Sequence, residues 1–182
     1  MTEDQLRSAA GEIRLLCLDV DGVMTDGAMY YSPEGEAMKR FHTQDAAGIA
    51  LARKAGLEIA WLSADDSPIT AARARKLEIK HFAFGCDDKL RAADLLRAQM
   101  QCQWRQLAYM GDDWFDIPLL QRVGLSACPA DAHPQVRAVV GYCCRAHGGN
   151  GAVREFCDLL VGALAARRPA PPSSGREDSC LP

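Results

Sequence analysis

The chain has 182 residues, of which 48% are hydrophobic and 25% charged, the profile of one globular domain rather than a disordered polymer. Twenty-one Lys and Arg against 24 Asp and Glu give a formal charge of −3, too balanced for the basic surface that nucleic acid demands. No apolar run approaches the ~20 residues that cross a bilayer. Residues 1–11, an N-terminal extension, are polar and contain Glu3 and Asp4. That is not the pattern of a secretion signal, so a cytoplasmic location is expected. The eight cysteines include no C-x-x-C pair, so they are expected to be reduced thiols, mostly filling core positions, rather than a zinc site.

In chain order, residues 13–20 (IRLLCLDV) are almost wholly apolar up to Asp19, as in a buried strand whose C-terminal end turns polar. Gly22 and Gly27 open a loop, and residues 28–32 and 36–42 flank Pro33-Glu34-Gly35, a hairpin signal. Residues 44–55 have helical spacing and stop at Gly56. A second strand, 57–62, ends at Ser63; a helix over 68–77 and a short strand over 81–84 follow. Residues 87–100 are expected as a helix with Leu90, Leu95 and Leu96 on one side, and 107–110 as a strand ended by Gly111. A helix over 114–122, a strand over 123–127 and helices over 133–139 and 153–164 complete the pattern. Alternating strands and helices predict a Rossmann-like α/β fold. It would be a parallel sheet with helices on both faces and a small β-hairpin after the first strand. The domain is expected over 12–166, and 167–182, rich in Pro and Ser, as a disordered tail.

Sites in open parallel sheets form at the carboxyl ends of strands. Four polar clusters fall there or just beyond: Asp19-Val20-Asp21-Gly22, Ser63, Lys89, and Gly111-Asp112-Asp113 with Asp116. Taken singly, Gly111-Asp112 reads as a turn, Ser63 as a helix cap and Lys89 as a solvated charge. Taken together they have one chemistry. Converging carboxylates repel one another unless a hard cation such as Mg²⁺ sits among them, and Mg²⁺ in turn binds phosphate. A lysine and a hydroxyl hold the remaining phosphate oxygens. One aspartate attacks phosphorus, and a second, two residues on, protonates the leaving oxygen and later activates water. A calcium loop is disfavoured, because an apolar strand precedes the D-x-D-G run and further acidic positions are missing.

The order of these clusters resembles the haloacid dehalogenase superfamily of phosphatases, and within it the small sugar-acid phosphatases that have no cap domain. Residues 19–27 (DVDGVMTDG) are similar to the first motif of that group, Phe41-His42-Thr43-Gln44-Asp45 with Gly48-Ile49 to its substrate loop, and 148–155 (GGNGAVRE) to its C-terminal signature. The resemblance implies Asp19 as nucleophile and metal ligand, Asp21 as general acid/base with its carbonyl on the metal, and Asp112 as the third protein ligand of Mg²⁺. It implies Ser63 and Lys89 on the phosphate, with Asp113 and Asp116 supporting them from outside. Thr25, Asp45, Asp65, Lys76 and Arg154 are implied on the substrate, Arg154 reaching the substrate carboxylate of an adjacent subunit. The expected substrate is a 3-deoxy-2-ulosonic acid phosphate, either KDO 8-phosphate or KDN 9-phosphate. Ala64-Asp65 stands in place of the Gly-Arg of eight-carbon enzymes, and Asp65 followed eleven residues on by Lys76 resembles the nine-carbon pattern. A homotetramer built through the hairpin is also implied, with Met29-Tyr30-Tyr31 at its interfaces. Two other functions are compatible with the sequence: a non-catalytic oligomerisation module like those fused behind sialic acid cytidylyltransferases, and a broad-specificity sugar phosphatase.

Overall fold

A computed structural model describes residues 1–167; of the segment expected as a tail, 168–182 lies outside the described residues. The elements are α1 (Glu3–Ala10), β1 (Leu15–Leu18), β2 (Tyr30–Ser32), β3 (Gly35–Met38), α2 (Thr43–Lys54), β4 (Glu58–Leu62), α3 (Pro68–Lys76) and β5 (His81–Ala83). They continue with α4 (Lys89–Gln99), β6 (Leu107–Met110), α5 (Ile117–Leu120), β7 (Leu125–Cys128), α6 (Pro134–Arg137), β8 (Tyr142–Cys143) and α7 (Ala152–Arg167). Six strands form one parallel sheet in the order β5-β4-β1-β6-β7-β8. This is the expected α/β architecture, and no second domain is inserted among the described residues.

The central strand shows how the sequence makes two cores. Successive side chains of a strand point to opposite faces. Leu16 and Leu18 therefore join Trp61, Ile49, Phe156 and Leu160 under α2 and α7. Leu15 and Cys17 join Ala60, Leu62, Tyr109, Ala93 and Leu119 under α4 and α5. Because β1 is buried on both faces, it reads as a continuous apolar run. The chain reverses direction across the sheet at β1, between β4 and β6, so their carboxyl ends meet at one crevice.

The hairpin β2–β3 stands apart from the sheet, pairing Tyr30 with Met38 and Ser32 with Gly35. Met29, Tyr30, Tyr31 and Met38 are exposed on it.

Several elements differ from expectation. Residues 1–11 are not merely a polar lead-in: α1 has a Thr2/Gln5 capping box, and its Leu6 and Ala10 pack in the core under α7. At the other end α7 runs to Arg167, whose Nη1 donates to the Gly11 carbonyl at 2.7 Å. Segment 114–122 is a 3₁₀ turn at Trp114–Asp116 leading into the short α5. Leu95 is exposed, while Ala93 and the aliphatic stem of Lys89 are buried on α4. β8, two residues long, is too short to leave a periodic signal in sequence. The cysteines of the described residues are free thiols, and all but Cys86 and Cys143 are buried.

Candidate active site

The site is built where β1, β4 and β6 end. Past Leu18 the chain leaves the sheet and coils into a tight turn, with Met24 and Thr25 donating to the Val20 carbonyl at 2.8 and 3.0 Å. Thr25 is buried, and its Oγ1 accepts the N–H groups of Gly22 at 3.3 Å and Gly27 at 3.2 Å. Thr25 therefore pins the loop that carries Asp19 and Asp21. Gly22 has φ +80°, and a Cβ there would collide with the Asp112 carboxylate, so glycine is required twice over. The glycine run behind the loop has a related job. A Cβ at Gly148 would strike the Gly22 carbonyl, and Gly149 donates to the Val23 carbonyl at 2.9 Å.

Lys89 starts α4 and is nearly buried. Its Nζ lies 2.6 Å from Asp19 Oδ2 and 2.7 Å from Asp116 Oδ1. Asp116 is fully buried and satisfied: Oδ1 also accepts the Tyr109 hydroxyl at 2.6 Å, and Oδ2 accepts the N–H groups of Asp112 at 3.0 Å and Asp113 at 3.1 Å. Asp116 thus fastens Lys89 and the 111–113 loop together.

Asp112 is different. Its Oδ1 is buried and has no hydrogen-bond partner among the described residues. Burial, with the charges of Asp19 and Asp116 beside it, pushes its carboxyl up to about 8. Burial and then Asp116 push Asp19 up to about 7, against the pull of Lys89. Carboxylate oxygens of Asp19, Asp112 and Asp116 lie within 4.8 Å of one another, near the ~4 Å span open to oxygens ~2.1 Å from one Mg²⁺. Since Asp116 already accepts four donors, Asp19 and Asp112 are the pair with lone pairs to offer. An orphaned oxygen and two carboxyls raised by burial and by one another are a donor set that suits a hard cation, so these residues fit Mg²⁺.

Around this centre is a cavity of about 610 Å³, lined among others by Asp21, Ser63, Asp65, Cys86, Asp87 and Phe115. Ser63 is buried at the end of β4; its Oγ accepts the Asp65 N–H at 3.1 Å, and its carbonyl accepts the Cys86 N–H at 3.0 Å. The Asp21 carboxylate does not join the metal-facing group. Lys39 Nζ holds it at 2.8 Å and also reaches Asp65 Oδ2 at 2.7 Å.

The structure gathers Asp19, Asp21, Ser63, Asp65, Lys89, Asp112, Asp113 and Asp116 at one cavity. Four of the implied substrate residues do not line it; Thr25 is buried, its hydroxyl taken up by the Gly22 and Gly27 N–H groups. Asp45 is fully buried under α7, accepting from Arg154 N at 2.9 Å and Gly151 N at 3.3 Å. The Arg154 guanidinium lies on Asp158 at 2.8 Å, one turn along the same helix. Lys76 is exposed at the far end of α3, about 12 Å along the helix axis from its start. Lys39, Asp87 and Phe115 were not marked by sequence reasoning. A single lysine in a hairpin strand looks like an exposed charge, and nothing local in the sequence says that it turns inward.

No family model matches the chain. A curated relative, the 3-deoxy-D-manno-octulosonate 8-phosphate phosphatase KdsC of Yersinia pestis, is 42% identical over 158 residues, 87% of this chain and 84% of that protein. The chain belongs to the KdsC phosphatase family. The Yersinia pestis phosphatase crystal structure superposes with a TM-score of 0.87, covering 89% of this chain and 88% of that one. A Moraxella catarrhalis family member, solved with magnesium ion, phosphate ion and KDO, is 33% identical with a TM-score of 0.87, covering 91% and 97% of the two chains. KdsC proteins are phosphoric monoester hydrolases of the haloacid dehalogenase superfamily, as the motif order implied.

Proposed function

We propose that this chain hydrolyses KDO 8-phosphate as a Mg²⁺-dependent phosphomonoesterase. The observation that carries the reading is the orphaned, buried Asp112 Oδ1 facing Asp19 in a cavity that also holds Lys89 and Ser63. Asp19, Asp112 and the Asp21 carbonyl would hold the ion, which neutralises charge on the phosphate oxygens. Lys89 and Ser63 bind the phosphate. An Asp19 oxygen forms a bond to phosphorus while the bond from phosphorus to the sugar oxygen breaks, and Asp21 gives that oxygen its proton. Asp21 then takes a proton from water as the water oxygen bonds to phosphorus, releasing phosphate and restoring Asp19.

The eight-carbon substrate is favoured by the relatives; Ala64-Asp65, where the eight-carbon enzymes carry Gly-Arg, keeps KDN 9-phosphate as the comparison substrate. The intact set Asp19, Asp21, Ser63, Lys89 and Asp112 argues against a non-catalytic module. The exposed Met29, Tyr30, Tyr31 and Met38 support assembly into a homotetramer through the hairpin. A cytoplasmic location is part of the same reading.

The test is kcat/KM for KDO 8-phosphate, KDN 9-phosphate and hexose 6-phosphates, with Mg²⁺ and with EDTA, for wild type and Asp19→Asn. Expected are Mg²⁺-dependent turnover, a preference for the eight-carbon acid and loss of turnover in Asp19→Asn. Equal rates for wild type and Asp19→Asn would end the phosphatase reading, and a flat substrate profile would favour a broad-specificity enzyme.

A further inference from the structure

Lys39 leaves the hairpin one residue past Met38 and turns inward, its side chain 3% exposed. Its Nζ lies 2.9 and 2.8 Å from the two oxygens of Asp21, 2.7 Å from Asp65 Oδ2 and 3.3 Å from Glu36 Oε1. An ammonium has three N–H donors; they go to the two Asp21 oxygens and to Asp65 Oδ2, with Glu36 beside them as an ion-pair partner, so Lys39 keeps none for a substrate. The partners come from three separate segments: the loop after β1, the loop after β4, and β3. Glu36 is itself fixed by the hydroxyl of Ser67, which caps α3 through Ile69 N at 3.2 Å.

Of the three carboxylates, Asp21 has a further duty at the reacting atoms. We propose that Lys39 is a positioning residue that fixes the Asp21 carboxyl for proton transfer to the leaving sugar oxygen. This rests on the reading of Asp21 as general acid/base. Without the ammonium, Asp21, Asp65 and Glu36 would face one another as like charges, and Asp21 would swing away from them. The effect would fall on proton delivery, because the nucleophile Asp19 is held by a different lysine, Lys89.

Proton delivery has its own kinetic signature. A sugar alkoxide is a poor leaving group and needs the acid, whereas p-nitrophenolate leaves without a proton. The value of kcat/KM reports the first, phosphoryl-transfer step for both. The experiment compares kcat/KM on KDO 8-phosphate and p-nitrophenyl phosphate, with Mg²⁺, for wild type, Asp21→Asn, Lys39→Met and Lys39→Arg. Asp21→Asn and Lys39→Met are expected to lose about 100-fold or more on the sugar phosphate, and less than about 5-fold on the aryl phosphate. Equal losses on both substrates in Lys39→Met, or no loss on either, overturn the proposal. Should Lys39→Met fail to fold, Lys39→Arg decides. It keeps the charge, but its planar fork cannot serve three carboxylates converging on one point. A selective loss of about tenfold on the sugar phosphate is then expected, and an unselective loss overturns the proposal. If Asp21→Asn itself shows no selectivity, the acid/base reading has failed and Lys39 falls with it. If wild type with Mg²⁺ turns over neither ester, the phosphatase reading has failed first.

Discussion

Asp45 Oδ1 accepts the main-chain N–H of Arg154 at 2.9 Å, so an α2 carboxylate caps the start of α7 from another helix. Its second oxygen takes the Gly151 N–H at 3.3 Å. A negative charge there also faces the positive end of a 16-residue helix dipole. Burial still pushes its carboxyl up despite these bonds. Asp45→Ala is expected to destabilise the protein by roughly 1–3 kcal/mol, with KM for the sugar phosphate little changed. Chemical denaturation and steady-state kinetics check the two halves; a large rise in KM with unchanged stability would return Asp45 to the substrate.

The carboxyls of Asp19 and Asp112, held up to about 7 and about 8, make the metal-free protein sensitive to pH. Unfolded aspartates titrate near ~3.9, so between these values the folded state binds more protons than the unfolded one. That contribution to stability is complete at acid pH and is lost as pH rises through about 7 and about 8. Mg²⁺ competes with the same protons. The rise in Tm on adding Mg²⁺ is therefore expected to be larger above both values than below them. Thermal melts in EDTA and in Mg²⁺ across that pH range measure it, and a rise independent of pH would count against this pair as the metal ligands.

Asp116 gathers four donors without offering an oxygen to the cavity chemistry, and its role is to hold Lys89 and the 111–113 loop. Asp116→Asn should lower kcat/KM by about 100-fold or more, since Lys89 loses a charged anchor and the cavity loses its alignment. Tyr109→Phe removes one buried donor to Asp116 and is expected to cost about 1–2 kcal/mol of stability, with a smaller kinetic effect. If Tyr109→Phe proved as damaging to kcat/KM as Asp116→Asn, the hydroxyl would have a direct part in the chemistry.

Gly22 faces the Asp112 carboxylate where a Cβ cannot fit, and its φ of +80° already disfavours any side chain. Gly22→Ala is expected to displace Asp112, raising the Mg²⁺ concentration needed for half-maximal activity by about tenfold or more. A Mg²⁺ titration of the folded variant measures this; an unchanged half-point would mean that Asp112 is not a ligand.

The hairpin presents Tyr31 at 67% and Met29 at 65% exposure. In a homotetramer these would be covered, and placing a charge there opposes assembly. Met29→Asp with Tyr31→Asp is expected to shift sedimentation from tetramer to smaller species. A wild-type protein that sediments as a monomer would remove the hairpin interface altogether.

The candidate site was legible because strands buried on both faces must be apolar, which makes polar residues at their ends conspicuous. Asp19, Ser63 and Asp112 stand out for that reason, and the order of strands and helices carries the parallel sheet with it. What local pattern could not carry were the pairings made across long sequence separations. Lys39 meets Asp21 and Asp65 because the hairpin folds back over the crevice; Asp45 meets Arg154 because α2 packs against α7; Arg167 reaches Gly11 because the first and last helices lie together. In the sequence a charged residue looks the same whether it is solvated or buried. Its partner is chosen by where distant segments pack, so the sequence itself determined which polar residues gather at the strand ends, and only the tertiary structure decided which charges support them.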